Sequence, residues 1–392
     1  MDIKSYQDLE VWQKAMDLVM ECYQMTKTFP KSETYSRPLI PDPCNKGFSL
    51  VELLIAMVIA SVVGIAGISI FSSSNWSYKT QEDITEAQQN VRVAADRLAK
   101  DIRMAGYGLP DPPFSISFTG LSATPTALPN PLTSPITVTN NSTGFDTITI
   151  LGIGYEAGIL KSAGVCTNGS GTNVICMNTD SFFSGAAYQS TRRYISLNGT
   201  TFIELSSAAG DHVNAAEGSM KLSSPAILDR TYPDGTPVYI IQAVNYSIDT
   251  DTTLAGCSPT NPCLVSRDYA MIMGGTAPGG RQVLAENIED IQFAYGIDVS
   301  PRDGKIDYTA PYAATAFQDN PTDPSSIIAV RANIVGRTRN QDMKGQTGFK
   351  AQCFEDRTAD AGTTNCTGAP PDGFRRRVLT KVIKIRNPKT GA

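Results

Sequence analysis

The chain is poor in histidine, poor in tryptophan and without any excess of basic charge. Its 392 residues include one histidine, His212, and two tryptophans. A histidine-rich metal site is therefore excluded, and a Ser-His-Asp or Cys-His catalytic site would rest on a single imidazole. The 33 basic residues face 38 acidic ones, a net charge of −5. That balance leaves no electrostatic footprint for nucleic acid. None of the eight cysteines sits in a C-x-x-C pair, which argues against a zinc ribbon or a thioredoxin-like motif. What is present is a long apolar run. Phe48–Phe71 holds 24 residues with one charge, Glu52. About 20 apolar residues span a bilayer as a helix. A buried core helix would rarely be apolar on every face. A secretory signal has an apolar core of ~7–15 residues and a small-residue cleavage site, and Ser72–Ser74 matches that poorly.

After the span, Trp76–Ala105 is amphipathic. Ile84, Val91, Ala95, Leu98 and Ile102 recur at steps of seven, four, three and four, one stripe of a 3.6-period helix. No proline or glycine interrupts the run between Asn75 and Gly106. Span and amphipathic segment are thus expected to be one helix, ended by Gly106, Gly108 and Pro110. About 58 residues at 1.5 Å each would reach roughly 87 Å. Leu109–Gly144 reads as loop with short extended pieces. Beyond it the composition predicts strands at Asp146–Leu151, Arg193–Leu197, Thr201–Leu205, Val238–Ile248, Ile327–Val335 and Arg377–Arg386. Leu284–Ile291 reads as a short helix or turn entering a strand, Gln292–Ile297.

The span begins within Cys44-Asn45-Lys46-Gly47-Phe48-Ser49-Leu50-Val51-Glu52. This closely resembles the type IV prepilin N-terminus: a basic residue, a glycine, a hydrophobic residue, and a glutamate five positions into the mature chain. The resemblance implies that prepilin peptidase cuts after Gly47 and N-methylates Phe48. It also implies that the span stays as membrane anchor and later as filament core. A carboxylate at mid-membrane depth costs about 2.5–3.5 kcal/mol, less near a helix end. The pilin family supplies its partner, the new amino terminus at Phe48, so Glu52 becomes a subunit-assembly residue. Arg37 and Lys46 precede the span, and Lys79 is the first basic residue after it. That pattern places the N-terminus in the cytoplasm and the head in the periplasm.

Further elements resemble PilW-type minor pilins: Leu98–Tyr107 (LAKDIRMAGY), Glu289–Asp298 (EDIQFAYGID), Ser325–Thr338 (SSIIAVRANIVGRT) and Phe374–Asn387 (FRRRVLTKVIKIRN). The long insertions around Gly154–Thr191 and Cys353–Cys366 depart from that pattern. The resemblance implies an α+β fold, with a long N-terminal helix packed on a mostly antiparallel β head. The organisation is then a leader over 1–47, a transmembrane helix over 48–71, its amphipathic half over 72–106 and a head over 107–392. The implied role is a minor pilin that helps initiate pilus assembly and sits in or at the tip of the fibre. A J-type minor pseudopilin of type II secretion and a membrane-anchored adhesin are the alternatives. The implied partners are other minor and major pilins, prepilin peptidase, the inner-membrane assembly platform and membrane lipid. No cofactor, enzymatic activity or nucleic-acid partner is expected.

The head's cysteines fall as near neighbours: Cys166 with Cys176, Cys257 with Cys263, and Cys353 with Cys366. The even count fits disulfides in an oxidising periplasm. Asp298, Asp303 and Asp307 form an acidic stretch that could take calcium. It lacks the D-x-D-x-D-G spacing, so a turn is favoured. Arg375–Arg377 is a basic run opening the last strand and reads as an exposed strand end. Residues 1–35 do not match the rest. The stretch DLEVWQKAMDLVMECYQMTKTFPKSETY resembles the first helix of a small four-helix-bundle family linked to ribosomal RNA intervening sequences. It covers about a third of that family's length. A fusion, or a true start near Leu39 or Ile40, is expected.

Overall fold

A computed structural model describes residues 16–17, 20–21, 24, 49–111, 114–117, 131–161, 174–179, 194–205, 219–221, 232–269, 281–299, 302–307, 317–341 and 372–386. Of residues 1–47, five between Met16 and Gln24 are described, all helical and exposed. His212, Gly47 and Phe48 lie outside the described residues.

One helix runs unbroken over Leu50–Arg103. Gly106 and Gly108 follow it, both at φ +78°, a left-handed conformation that glycine adopts without a Cβ penalty. The expected continuity therefore holds, and so does the glycine stop. The chain divides into two compact units, 1–72 and 73–392. In the first unit every residue from Ser49 to Ser72 is exposed. In the second the helix buries Ala87, Val91, Ala94, Ala95, Leu98, Ala99 and Ile102.

Among the described residues the strands of the second unit, in chain order, are β1 (Ile136–Thr139), β2 (Thr147–Leu160), β3 (Val174–Thr179), β4 (Tyr194–Leu197), β5 (Thr201–Glu204) and β6 (Ser219–Lys221). They continue with β7 (Pro237–Asp249), β8 (Cys263–Asp268), β9 (Arg281–Glu286), β10 (Ile288–Ile297), β11 (Ile327–Arg337) and β12 (Arg376–Lys384). Every pairing is antiparallel. Nine strands form a sheet with the path β5-β4-β7-β2-β3-β6; β1 pairs with β2, β8 with β7, and β9 with β8. The other three form a sheet ordered β10-β11-β12. The architecture is α+β, a long helix followed by antiparallel sheets.

The core lies where the helix meets both sheets. Leu98 and Ile102 cluster with Ile150, Tyr246, Phe293, Val330, Ile334 and Ile383. The approach is close because alanines line the helix and Gly336 faces it from β11. A Cβ at Gly336 would stand 2.3 Å from Val91 Cγ2, so only glycine lets helix and strand touch here. Beyond this apolar contact, Tyr246 donates its hydroxyl to Asp101, and Lys381 Nζ donates to Asp96 at 2.7 Å. The sheets are tied by Asp146, which is buried and accepts from the Phe293 N–H at 2.8 Å.

Two expectations need correction. Leu284–Ile291 is neither helix nor turn: it is the end of β9 and the start of β10. The spacing of Leu284, Ile288 and Ile291 mimics one helical face. Asn287, however, sits at φ +58° and breaks the chain direction. Pairing with β8 and β11 then satisfies the backbone on either side. The strand expected to end at Leu151 runs on to Leu160. Irregularities between Ile153 and Gly158 carry it past its glycines.

A clamp closes the β7–β9 end. Arg281 donates to Asp249 Oδ2 at 2.8 Å and to Asp251 Oδ2 at 2.7 Å. The Thr253 N–H and the Arg281 guanidinium hold the Asp251 carboxyl down to about 2. A depressed carboxylate stabilises the fold above its unfolded pKa of roughly 3.9 and loses that contribution as pH falls through the folded value. Acid titration of the detergent-solubilised chain should therefore show stability falling between about pH 4 and pH 2. Asp251→Asn should flatten that portion of the curve. An unchanged acid limb in Asp251→Asn would refute the assignment.

Candidate functional site

The N-terminal segment carries the chemistry that the sequence singles out. Ser49 is the residue before the helix and Glu52 lies in its first turn. The Ser49 N–H donates to Glu52 Oε2 at 3.0 Å, and the Glu52 N–H donates to Ser49 Oγ at 3.2 Å. This is a capping box, in which two helix-end donors are satisfied reciprocally. The sequence reading gave Glu52 an assembly role and missed the cap, although the signal is plain: Ser49-Leu50-Val51-Glu52 has the S-x-x-E spacing. The positive end of the helix dipole also favours a carboxylate in this turn.

From Leu50 to Phe71 the helix presents large apolar side chains on all sides. Leu50 is 76% exposed, Ile65 68% and Phe71 68%. Leaving such a surface in water has a large hydrophobic cost, so it requires a bilayer or other apolar helices around it. The helix passes the length and composition requirements for a membrane span, with none of its apolar window buried.

The opposite end of the chain forms the edge of the small sheet. Arg376 is 2% exposed at its side chain. Its Nε donates to Glu289 Oε2 at 2.6 Å and its Nη2 to Glu289 Oε1 at 2.8 Å. Its other contacts are with both oxygens of Asp372. Arg337 lies over the Phe374 ring at 4.2 Å. The basic run therefore does not behave as one exposed strand end. Arg377 is exposed, but Arg376 is the centre of an ion-pair cluster. Burial works against its charge, and the hydrogen bonds it donates to Asp372 and Glu289 outweigh that and raise its pKa.

Cys257 and Cys263 form a disulfide, as their proximity suggests. Cys176 is disulfide-bonded too, while Cys166, Cys353 and Cys366 lie outside the described residues. The acidic stretch is a self-closing loop. Asp298 accepts from the N–H groups of Asp303 and Gly304 at 3.3 and 2.7 Å. Asp307 accepts from the Val299 N–H at 2.6 Å, and Asp303 pairs with Lys305 at 2.9 Å. The three carboxylates thus serve separate donors. Among the described residues, no group of three His, Cys, Asp or Glu could hold a metal ion.

Comparison with known proteins adds to this geometry. Residues 245–387 match the family described as Type IV Pilus-assembly protein W, and residues 42–68 match the prokaryotic N-terminal methylation motif. The first match contains β10, β11, β12 and the Arg376 cluster. The second contains Gly47, Phe48 and the capping box. A curated relative, the pilin-like protein PilA3 of Thermus thermophilus, is 33% identical over 88 residues. That match covers 19% of this chain and spans 38% of the relative's length. A solved type IV-like pilin from Thermus thermophilus aligns at a TM-score of 0.29 and 11% identity, over 77% of this chain and 97% of its own. Over residues 245–387 the chain is thus similar to the pilus-assembly protein W family, and over residues 42–68 to the prokaryotic N-terminal methylation motif.

Proposed function

We propose that the protein is a minor type IV pilin that takes part in initiating pilus assembly and is incorporated in or at the tip of the fibre. One observation carries this reading. A single helix is exposed and apolar over its first part and buried along one stripe over its second, and its start coincides with the methylation motif. An apolar helix of this kind suits a bilayer before assembly and a bundle of like helices afterwards. On this reading it is a structural part.

On this reading residues 1–47 are a leader. Prepilin peptidase cleaves after Gly47 and methylates the Phe48 amine. The inner membrane holds the chain as a single-pass protein with its head in the periplasm, and the assembly platform passes it into the fibre with other minor and major pilins. Glu52 then has two tasks. Its carboxylate caps its own helix through Ser49, and its charge offers a partner to a Phe48 amine on the same or a neighbouring subunit, which sets the stagger.

Mass spectrometry of the protein from pili is expected to find a chain beginning at methylated Phe48. An unprocessed chain, or cleavage after Phe71, would overturn the proposal. Two substitutions separate the tasks of Glu52. Glutamine can keep the capping hydrogen bond but has no charge. Glu52→Gln and Glu52→Ala are both expected to remain membrane-bound and to enter fibres poorly. Normal incorporation of Glu52→Gln would reduce Glu52 to a helix cap.

A further inference from the structure

The second unit contains a cleft of about 290 Å³ that the pilin reading does not use. The helix contributes Trp76, Lys79 and Thr80 to its wall; the chain just after β11 and just before β12 contributes Asn340, Gln341 and Arg375. The frame is fixed. The Thr338 N–H donates to the Arg375 carbonyl at 2.9 Å, the Arg375 N–H donates to Thr338 Oγ1 at 3.2 Å, and that hydroxyl donates to the Asn340 carbonyl at 2.9 Å. One carboxylate, Asp83, also lines the cleft, and both its oxygens accept from Asn340 Nδ2, at 3.2 and 3.3 Å. The lining thus joins an ammonium and a guanidinium to the Gln341 amide, against one carboxylate already facing an amide, while the two threonine hydroxyls donate to the Trp76 and Asn340 carbonyls. Such a set recognises a tetrahedral oxyanion: lysine acts as a point charge and arginine as a planar fork.

Position in the chain says which oxyanion. The apolar run ends at Phe71, and Trp76 follows five residues later. Five helical residues rise about 7.5 Å, and the headgroup layer on each side of a bilayer is about 5–8 Å thick. Tryptophan favours that layer, with its ring at the apolar boundary and its N–H in the wet region. We propose that the cleft holds the phosphate of an anionic phospholipid headgroup while the protein resides in the membrane. Lys79 and Arg375 supply the charge and Trp76 the flank against the lipid. This goes beyond the pilin reading but rests on its membrane anchor. It also gives Arg375, first of the basic run, a task distinct from that of Arg376.

The test uses the full chain carrying Trp12→Phe, which leaves Trp76 as its one tryptophan. The protein is reconstituted in phosphatidylcholine vesicles with and without phosphatidylglycerol, and Trp76 quenching is read with bromine-labelled acyl chains placed on either lipid. Quenching per mole is expected to favour phosphatidylglycerol by roughly thirtyfold, the order two basic groups give at an anionic surface. Lys79→Gln with Arg375→Gln should abolish the preference, and Lys79→Arg should keep it. Arg302→Gln with Lys305→Gln, cations remote from the cleft, should leave it unchanged. Equal quenching by both lipids overturns the proposal, as does a preference that survives loss of Lys79 and Arg375. If inorganic phosphate in phosphatidylcholine vesicles shifts Trp76 emission with the same dependence on these two residues, the site takes a soluble anion and the lipid assignment fails. Failure of the chain to enter vesicles at all would instead sink the membrane anchor itself.

Discussion

Replacing Arg376 with alanine is expected to lower the stability of the head by about 3 kcal/mol, the lower end of what removing one partner of a buried pair costs. The reason is what stays behind. Glu289 is 18% exposed at its side chain and would keep its charge with, among the described residues, Arg337 beside it at 3.6 Å. Asp372 is more exposed, at 35%, so water can compensate it, which keeps the estimate at the low end. The pair also reaches across the sheet. Arg376 pairs with Arg337 in the neighbouring strand, and the irregularity between Ile288 and Asp290 sits where Glu289 reaches over from β10. Losing the guanidinium should therefore loosen all three strands together. Arg376→Lys restores the charge but not the planar fork that holds two carboxylates, and should recover only part of the loss. Guanidinium unfolding of the detergent-solubilised chain measures this directly. A loss below about 1 kcal/mol, the range of exposed pairs, would show that the cluster is effectively solvated.

Leu98→Ala should cost somewhat more, about 4 kcal/mol. Leu98 is fully buried among Ala94, Ala95, Ala99 and Ile102 on the helix and the inward side chains of both sheets. The cost of such a truncation depends on how far the surroundings can collapse. Here they can collapse little, because the contact of Val91 with Gly336 already brings helix and β11 as close as backbone and side chain allow. The void therefore persists. Leu98→Met keeps the volume and should lose less than about 1.5 kcal/mol. Amide hydrogen exchange gives an independent readout. In Leu98→Ala, protection should fall in β10, β11 and the Ala87–Ile102 stretch, while the exposed 50–71 stretch is unchanged. Uniform protection in the head would contradict the keystone role of Leu98.

The elements read from local pattern are those whose cause is local. The helix is continuous because no proline or glycine enters it after Gly67 until Gly106. Its stripe of Val91, Ala95, Leu98 and Ile102 was legible from 3.6-residue spacing. The additional buried alanines, Ala87, Ala94 and Ala99, were not, because alanine is buried only where a facing surface comes close enough. The Cys257–Cys263 link closes a loop of six positions, short enough to suggest itself. The capping box is equally local, since its two partners, Ser49 and Glu52, stand three positions apart. Arg376 misled for the opposite reason. Its partner Glu289 is 87 positions away, and no window of sequence joins them. The strand expected at Gln292–Ile297 lies within β10, but the end of β9 and the start of β10 read as a helix or turn because Leu284, Ile288 and Ile291 fit a helix as well as a strand.

What the sequence determined by itself was the N-terminal half of the molecule's logic: a methylation motif, an apolar run too long and too uniform for a soluble surface, and one helix continuing from it. The motif is legible through its resemblance to a known family; the run and the helix follow from spacing and composition, since hydrophobic length and helical period are properties of consecutive residues. Tertiary structure alone decided which charges are buried, which acidic side chains close turns, and where Lys79 and Arg375 share a cleft. Those outcomes depend on antiparallel pairings between segments far apart in the chain. A side chain's burial and partners are settled by whatever the other strands bring alongside it.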